Sequence, residues 1–196
     1  VGKDALEDCN PASAVTMQNT AVGQGAAANL TTAIKGTFIG ARAGGGSSLT
    51  GSENTCVGYD SGLALTSGIK NTLIGNLAGD ALNNADYNTA VGMQALTGDT
   101  LGSKSTAVGT FALNDQNFTT AADVENVAVG YNAGGAITTG FKNTIVGALG
   151  YDNLQNGDRN IAIGYDTTSS GVNDSLAILI GVGITSGGAG TARLGN

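Results

Sequence analysis

The sequence predicts an all-β fold: a parallel β-solenoid or β-roll of about eleven coils, each built from one seventeen-residue repeat. Three observations predict it. A short motif returns at nearly constant spacing, the composition is poor in large side chains, and the strand inside the motif is apolar on both of its faces.

The motif reads Asn-Thr-x-[Val/Ile]-Gly-x-x-Ala. Its first complete copy is Asn19-Thr20-Ala21-Val22-Gly23, followed by Gly36-Thr37-Phe38-Ile39-Gly40, Asn54-Thr55-Cys56-Val57-Gly58, Asn71-Thr72-Leu73-Ile74-Gly75 and Asn88-Thr89-Ala90-Val91-Gly92. Ser105-Thr106-Ala107-Val108-Gly109, Asn126-Val127-Ala128-Val129-Gly130, Asn143-Thr144-Ile145-Val146-Gly147 and Asn160-Ile161-Ala162-Ile163-Gly164 continue the series, with degenerate copies ending at Gly181 and Gly195. The anchoring glycines are separated by 17 or 18 residues except for two intervals of 21, before Gly23 and before Gly130, and a last one of 14. Self-similarity at such a period is the signature of a stacked repeat. Residues 1–185 are read as the tandem-repeat solenoid, and 186–196 as a last degenerate coil or the start of a following domain. The chain opens inside a copy, at Val1-Gly2, which is the pattern expected of a segment from a longer repeat protein.

Composition agrees. There are 33 glycines, one proline and no tryptophan, and charged residues make up 12% of the chain, too few large side chains for a thick core. The glycines do not recur every third residue, which excludes a collagen helix. The longest apolar run, residues 176–182, is too short to span a bilayer. No basic start with an apolar core opens the chain, so no signal peptide is expected. A net charge of −7 without long acidic runs disfavours nucleic acid and anionic membranes as partners.

Within one repeat, Thr-x-[Val/Ile] is expected to form a short strand, since β-branched residues suit a pleated backbone. Glycine then turns the chain. A second short strand is expected around Ala26, Ala43, Ala78, Ala95, Ala112 and Ala133, before a polar return to the next Asn. Equivalent residues then stack at about 4.8 Å, giving a rod on the order of 50 Å long. The column Val22, Ile39, Val57, Ile74, Val91, Val108, Val129, Val146 and Ile163 is expected to point inward as the repeat core, with the threonines beside it. The Asn column is expected to form a side-chain ladder. The residue between Thr and Val/Ile is apolar in every copy, from Ala21 and Phe38 to Leu179. A strand apolar on both faces is buried on both, and a slender coil has an inside for only one of them. The other face calls for a second copy of the chain.

The Asn-Thr-Ala-Val-Gly and Asn-Ile-Ala-Ile-Gly units resemble the YadA-like head repeats of trimeric autotransporter adhesins, and equally the similar repeats of bacteriophage tail fibres. The resemblance covers roughly residues 1–185. It implies a homotrimeric parallel β-roll, and with it a structural fibre segment of a bacteriophage (tail or capsid fibre) at the virion surface, a rigid rod in host attachment. The longer, seventeen-residue unit favours this phage-type variant. The alternative that it implies is the head of a bacterial surface adhesin that binds matrix protein or glycan at the cell surface.

No histidine is present, so no Ser-His-Asp, Cys-His or His-based metal site exists. Asp60-Ser61-Gly62 sits at an ordinary repeat position, and Glu7, Glu53 and Glu125 lie on separate repeats, so no paired carboxylates for glycoside hydrolysis are expected. The chain reads as a non-enzyme with no cofactor, no metal and no membrane insertion of this segment. Asp80, Asp86, Asp99, Asp115, Asp123, Asp158 and Asp174 read as solvated turn residues. Cys9 and Cys56 stand about three coils apart, roughly 14 Å at the strand spacing, beyond disulfide reach, and are expected to be unpaired with Cys56 buried. Tyr59, Tyr131 and Tyr165 follow anchoring glycines and are expected at the coil edge. The two 21-residue intervals carry four extra residues each, within 7–18 and 114–125. Insertions in solenoids protrude and often bind, so Asn117, Phe118, Thr119 and Thr120 are the candidate receptor-binding residues, with a host-surface glycan or protein as the candidate partner.

Overall fold

Each coil of the computed structural model contributes one three-residue strand at the Thr-x-[Val/Ile] motif, and the strands stack in sequence order. The structure describes residues 2–7, 9 and 17–195. The strands are β1 (Thr20–Val22), β2 (Thr37–Ile39), β3 (Thr55–Val57), β4 (Thr72–Ile74), β5 (Thr89–Val91), β6 (Gly102–Ser103), β7 (Thr106–Val108), β8 (Ala122–Asp123), β9 (Val127–Val129), β10 (Thr144–Val146), β11 (Ile161–Ile163), β12 (Ile178–Ile180) and β13 (Ala192–Leu194). Eleven of them form one parallel sheet, and β6 pairs with β8 in a small second one. The register joins like residues of successive repeats: Thr72 opposite Thr89, Leu73 opposite Ala90, Ile74 opposite Val91. The chain is therefore an all-β parallel solenoid, as the repeat predicts. β13 pairs with β12, so residues 186–195 run into a further turn of the same stack.

The inward column is not the one the sequence reading chose. Val22, Ile39, Val57, Ile74, Val91, Val108, Val129, Val146 and Ile163 stand on the outer face of the sheet, half-exposed to exposed, with Val22 at 44% and Ile74 at 38%. The threonines share that face. The intervening residue is the core: Phe38, Cys56, Leu73, Ala90, Ala107, Ala128, Ile145 and Leu179 are fully buried. The pleat dictates only that neighbours face opposite sides. What chooses the side is volume. Phe38, Cys56 and Leu73 are each met six residues later by Gly44, Gly62 and Gly79, where a Cβ would lie 2.6 Å from Phe38 Cε1, 2.7 Å from Cys56 Sγ and 2.8 Å from Leu73 Cδ2. Where the strand offers only Ala90 or Ala107, that later position holds buried Leu96 or Leu113. In these five coils a large residue at one position meets a small one at the other, which keeps the section filled, whereas Ala128 with Gly134 and Ile145 with Tyr151 do not follow the exchange.

The expected second strand is a turn instead. Ala78 is buried with Leu77 and Gly79 both at positive φ, 57° and 55°, which no strand tolerates. Ala26, Ala43, Ala95, Ala112 and Ala133 are likewise buried in turns. A column of Leu30, Leu49, Leu65, Leu82, Ile137 and Leu154 fills the rest of the interior.

The Asn ladder forms as expected. The Asn71 N–H donates to Asn54 Oδ1 at 2.9 Å and the Asn88 N–H to Asn71 Oδ1 at 2.9 Å, while Asn71 Nδ2 donates to the Ala85 carbonyl at 2.7 Å. The same pattern links Asn126, Asn143 and Asn160. These amides are buried, so each satisfied bond avoids the penalty of an orphaned polar group, about 1–3 kcal/mol. The residue before each ladder position adopts a left-handed backbone although none of them is glycine, as at Lys70 (57°), Lys104 (65°) and Arg159 (56°). Cys9 and Cys56 are unpaired, and burial pushes the Cys56 thiol up to about 12. No helix among the described residues is long and apolar enough to cross a membrane.

Candidate functional site

The buried interior of the stack changes character around the second 21-residue interval. Eleven residues after the ladder position, the coils before and after it bury Leu65, Leu82, Ile137 and Leu154; here the same position holds Asp99 and Gln116, both fully buried. Asp99 is therefore no solvated turn residue. Its Oδ1 accepts from the Gly102 N–H at 3.1 Å and the Phe118 N–H at 3.0 Å, and its Oδ2 from Gln116 Nε2 at 2.5 Å. Gln116 Nε2 also donates to Ser105 Oγ at 3.2 Å, and its Oε1 accepts from Asn126 Nδ2 at 2.8 Å. Ser105 is one position where the ladder has no Asn, as Gly36 and Ala177 are others. At Ser105 the Gln116 side chain bridges the gap, so the network carries the ladder across the interval.

The network also sets the insertion. The four extra residues lie after Gln116, and Phe118 is held at both ends of its peptide: its N–H by Asp99, its carbonyl by the Leu101 N–H at 3.0 Å and the Thr100 hydroxyl at 2.9 Å. The Asn117 N–H donates to the Thr138 carbonyl at 2.9 Å. Of the candidate receptor-binding residues, Asn117, Thr119 and Thr120 are exposed and Phe118 is half-buried. They share one projecting loop whose base is fixed through Phe118. Beyond it, β8 pairs in parallel with β6 of the preceding coil, which sets Asp123 opposite Ser103. Much of the first insertion, including residues 10–16, lies outside the described residues.

Beside this pair runs an open groove of about 430 Å³, lined by Asn84, Asp86, Ser103, Ala121, Ala122 and Asp123. A larger hollow of about 820 Å³ lies at the last coil, between Val182–Thr185 and Ala192–Gly195, walled mainly by backbone and apolar side chains. Of these two, the groove gathers more side chains able to give and take hydrogen bonds. Asp86, Asn84, Ser103 and Asp123 were not singled out as a set by the sequence reading, because they come from three successive coils and meet only once the stack is formed.

Burial pushes the Asp99 carboxyl up from its ordinary range, against the hydrogen bonds from Gln116, Phe118, Gly102 and Thr100 that hold it down. The folded chain thus binds this proton more tightly than the unfolded one. The contribution is full below the unfolded value of about 3.9 and is lost as pH rises through the folded value. Lowering the pH from 7 to 4 is expected to shift the stability difference between the wild type and Asp99→Asn in favour of the wild type. Urea unfolding at each pH measures it, and a difference that stays flat would contradict the assignment.

The other singled-out residues have structural partners or stand exposed. Ser61 Oγ is buried and donates to the Leu73 carbonyl at 2.8 Å. Asp60 is buried against Arg42, whose Nε donates to it at 2.8 Å. Tyr59, Tyr131 and Tyr165 are exposed at the coil edge, and the Arg42 guanidinium lies over the Tyr59 ring at 5.4 Å. Asp86 and Asp158 each accept a backbone N–H of the preceding coil, from Ile69 at 2.8 Å and Phe141 at 3.0 Å. Among the described residues no group of three or more His, Cys, Asp or Glu side chains converges as a metal site would require. No protein-family model, no curated protein and no solved structure matches this chain.

Proposed function

We propose that the chain is a structural segment of a homotrimeric fibre, a rigid rod in host attachment on a virion surface, without catalytic function. One observation carries the reading. The outer face of the eleven-strand sheet is an apolar stripe of Val and Ile, ending in Leu194, that runs the length of the stack, and nothing among the described residues covers it. Val22, Ile39, Val146, Ile163 and Ile180 are all about two-fifths exposed. Among the described residues, the hydroxyls of Thr37, Thr55, Thr72, Thr89 and Thr106 beside them make no hydrogen bond within the chain. A regular apolar stripe of this extent marks an interaction surface. A second copy in register offers a matching stripe at the same coil spacing, and closure around a threefold axis buries each chain's stripe against its neighbours. The two-faced strand supports this reading with its faces exchanged: the intervening residues fill the coil, and Val/Ile meets the partner.

The test is mass in solution. The wild type is expected at three times the 19.2 kDa of one chain. Val91→Lys with Val108→Lys is expected to give single chains, since two adjacent ammonium groups would be desolvated without partners. A wild type that is a stable monomer would overturn the proposal.

A further inference from the structure

We infer that the groove beneath the second insertion is a binding site for a neutral carbohydrate. The inference deepens the fibre reading, because it names what a host-attachment rod would hold at this position. The argument begins with the groups that the fold leaves uncommitted. Asn84 Oδ1 accepts from Thr66 Oγ1 at 2.6 Å and Ser67 Oγ at 2.8 Å, which fixes the amide and leaves Nδ2 to donate. Asp86 Oδ1 is held by the Ile69 N–H, leaving Oδ2 to accept. Ser103 Oγ accepts from the Asp86 N–H at 2.9 Å and keeps its own proton to give. Asp123 Oδ2 takes the Lys104 ammonium at 2.6 Å, leaving Oδ1.

The groove therefore presents two donors and two acceptors, each already oriented by a bond to a neighbouring coil. Vicinal hydroxyls match such a set, because every hydroxyl both gives and takes a hydrogen bond. The apolar part of the lining is the two small side chains of Ala121 and Ala122. That suits the C–H face of a sugar ring and offers no pocket for the large side chain on which a peptide would anchor. Lys104 offsets Asp123, but Asp86 forms no ion pair among the described residues, and its carboxylate on a chain of net charge −7 disfavours acidic sugars and selects neutral ones. The volume of about 430 Å³ falls in the range of small-ligand sites. The second interval supplies one wall of the site: Ala121, Ala122 and Asp123 follow its extra residues and stack on the Ser103 coil through β8 and β6. Asp99, by fixing Phe118, acts as a positioning residue for the groove wall.

The experiment uses the whole chain on an array of neutral hexose and N-acetylhexosamine oligosaccharides alongside acidic ones, with hits measured by calorimetry. Two variants are compared with the wild type. Ala121→Trp fills the groove from its exposed rim, and Asn84→Asp replaces the free donor with an acceptor. The expected result is binding of at least one neutral oligosaccharide, weakened tenfold or more in both variants, with unchanged melting and unchanged mass. Absence of binding to every neutral probe, binding confined to acidic probes, or binding that both variants retain would each overturn the inference. Mass is measured on the same samples, so a trimer that binds no sugar sinks the groove and leaves the fibre reading standing, whereas a sugar-binding monomer does the reverse.

Discussion

Gly75→Ala is expected to destabilise the chain by about 4 kcal/mol or more, among the largest effects of any single substitution. Gly75 adopts a φ of 143°, and a Cβ there would lie 2.6 Å from the carbonyl carbon of Gly92 and overlap its oxygen. The obstruction is backbone of the next coil, which cannot rotate away as a side chain does. Relief requires separating two coils, and each coil in a solenoid is held mainly by its neighbours. The loss corresponds to a fall in melting midpoint of roughly 8–16 °C at about 2–4 °C per kcal/mol for a chain of this size. Gly183→Ala is the control: its φ of 63° is also positive, but a Cβ there would meet nothing within 4 Å. It is expected to cost only the backbone strain, about 1–2 kcal/mol. Equal losses in the two variants would show that the stacked glycine column owes its effect to conformation rather than to coil contact.

Asp99→Leu should be costly although it restores the residue type that neighbouring coils carry at that position. It leaves the Gly102 and Phe118 N–H groups without their acceptor and deprives Gln116 of one of two. Two orphaned donors cost about 2–6 kcal/mol together, against about 1.5–3 kcal/mol from burying the new side chain. Crowding against Gly102, whose position already abuts the Asp99 carboxylate, adds to the loss. The expected net destabilisation is about 3 kcal/mol, read by chemical unfolding, with faster amide exchange at Phe118 and Gly102. Asp99→Leu combined with Gln116→Leu should recover part of it, because the apolar column becomes continuous. A double variant as costly as the sum of the single ones would mean that Asp99 and Gln116 do not act as one network.

How much of this was legible in the sequence depends on which properties are one-dimensional. The coil count, the parallel stacking, the Asn ladder, the unpaired cysteines and the position of the insertion all follow from a period, and a period can be read along a string. The Ala turn was misread because its geometry rests on left-handed residues such as Leu77, whose type gives no warning of it. Asp99 was misread because Asp is a common turn residue. The available signal was positional: it stands where Leu65, Leu82, Ile137 and Leu154 stand in other coils. The groove had no signal in any single repeat, since its walls come from different coils.

The sequence by itself determined the repeat, its strand and the two-faced apolar character of that strand. Tertiary structure decided which face is inside. Alternation along a strand is symmetric between its faces, and only the cross-section of the coil breaks the symmetry. Phe38 facing Gly44 and Ala90 facing Leu96 fill that section by pairing a large residue with a small one, whereas the uniform Val/Ile column is left on the outside.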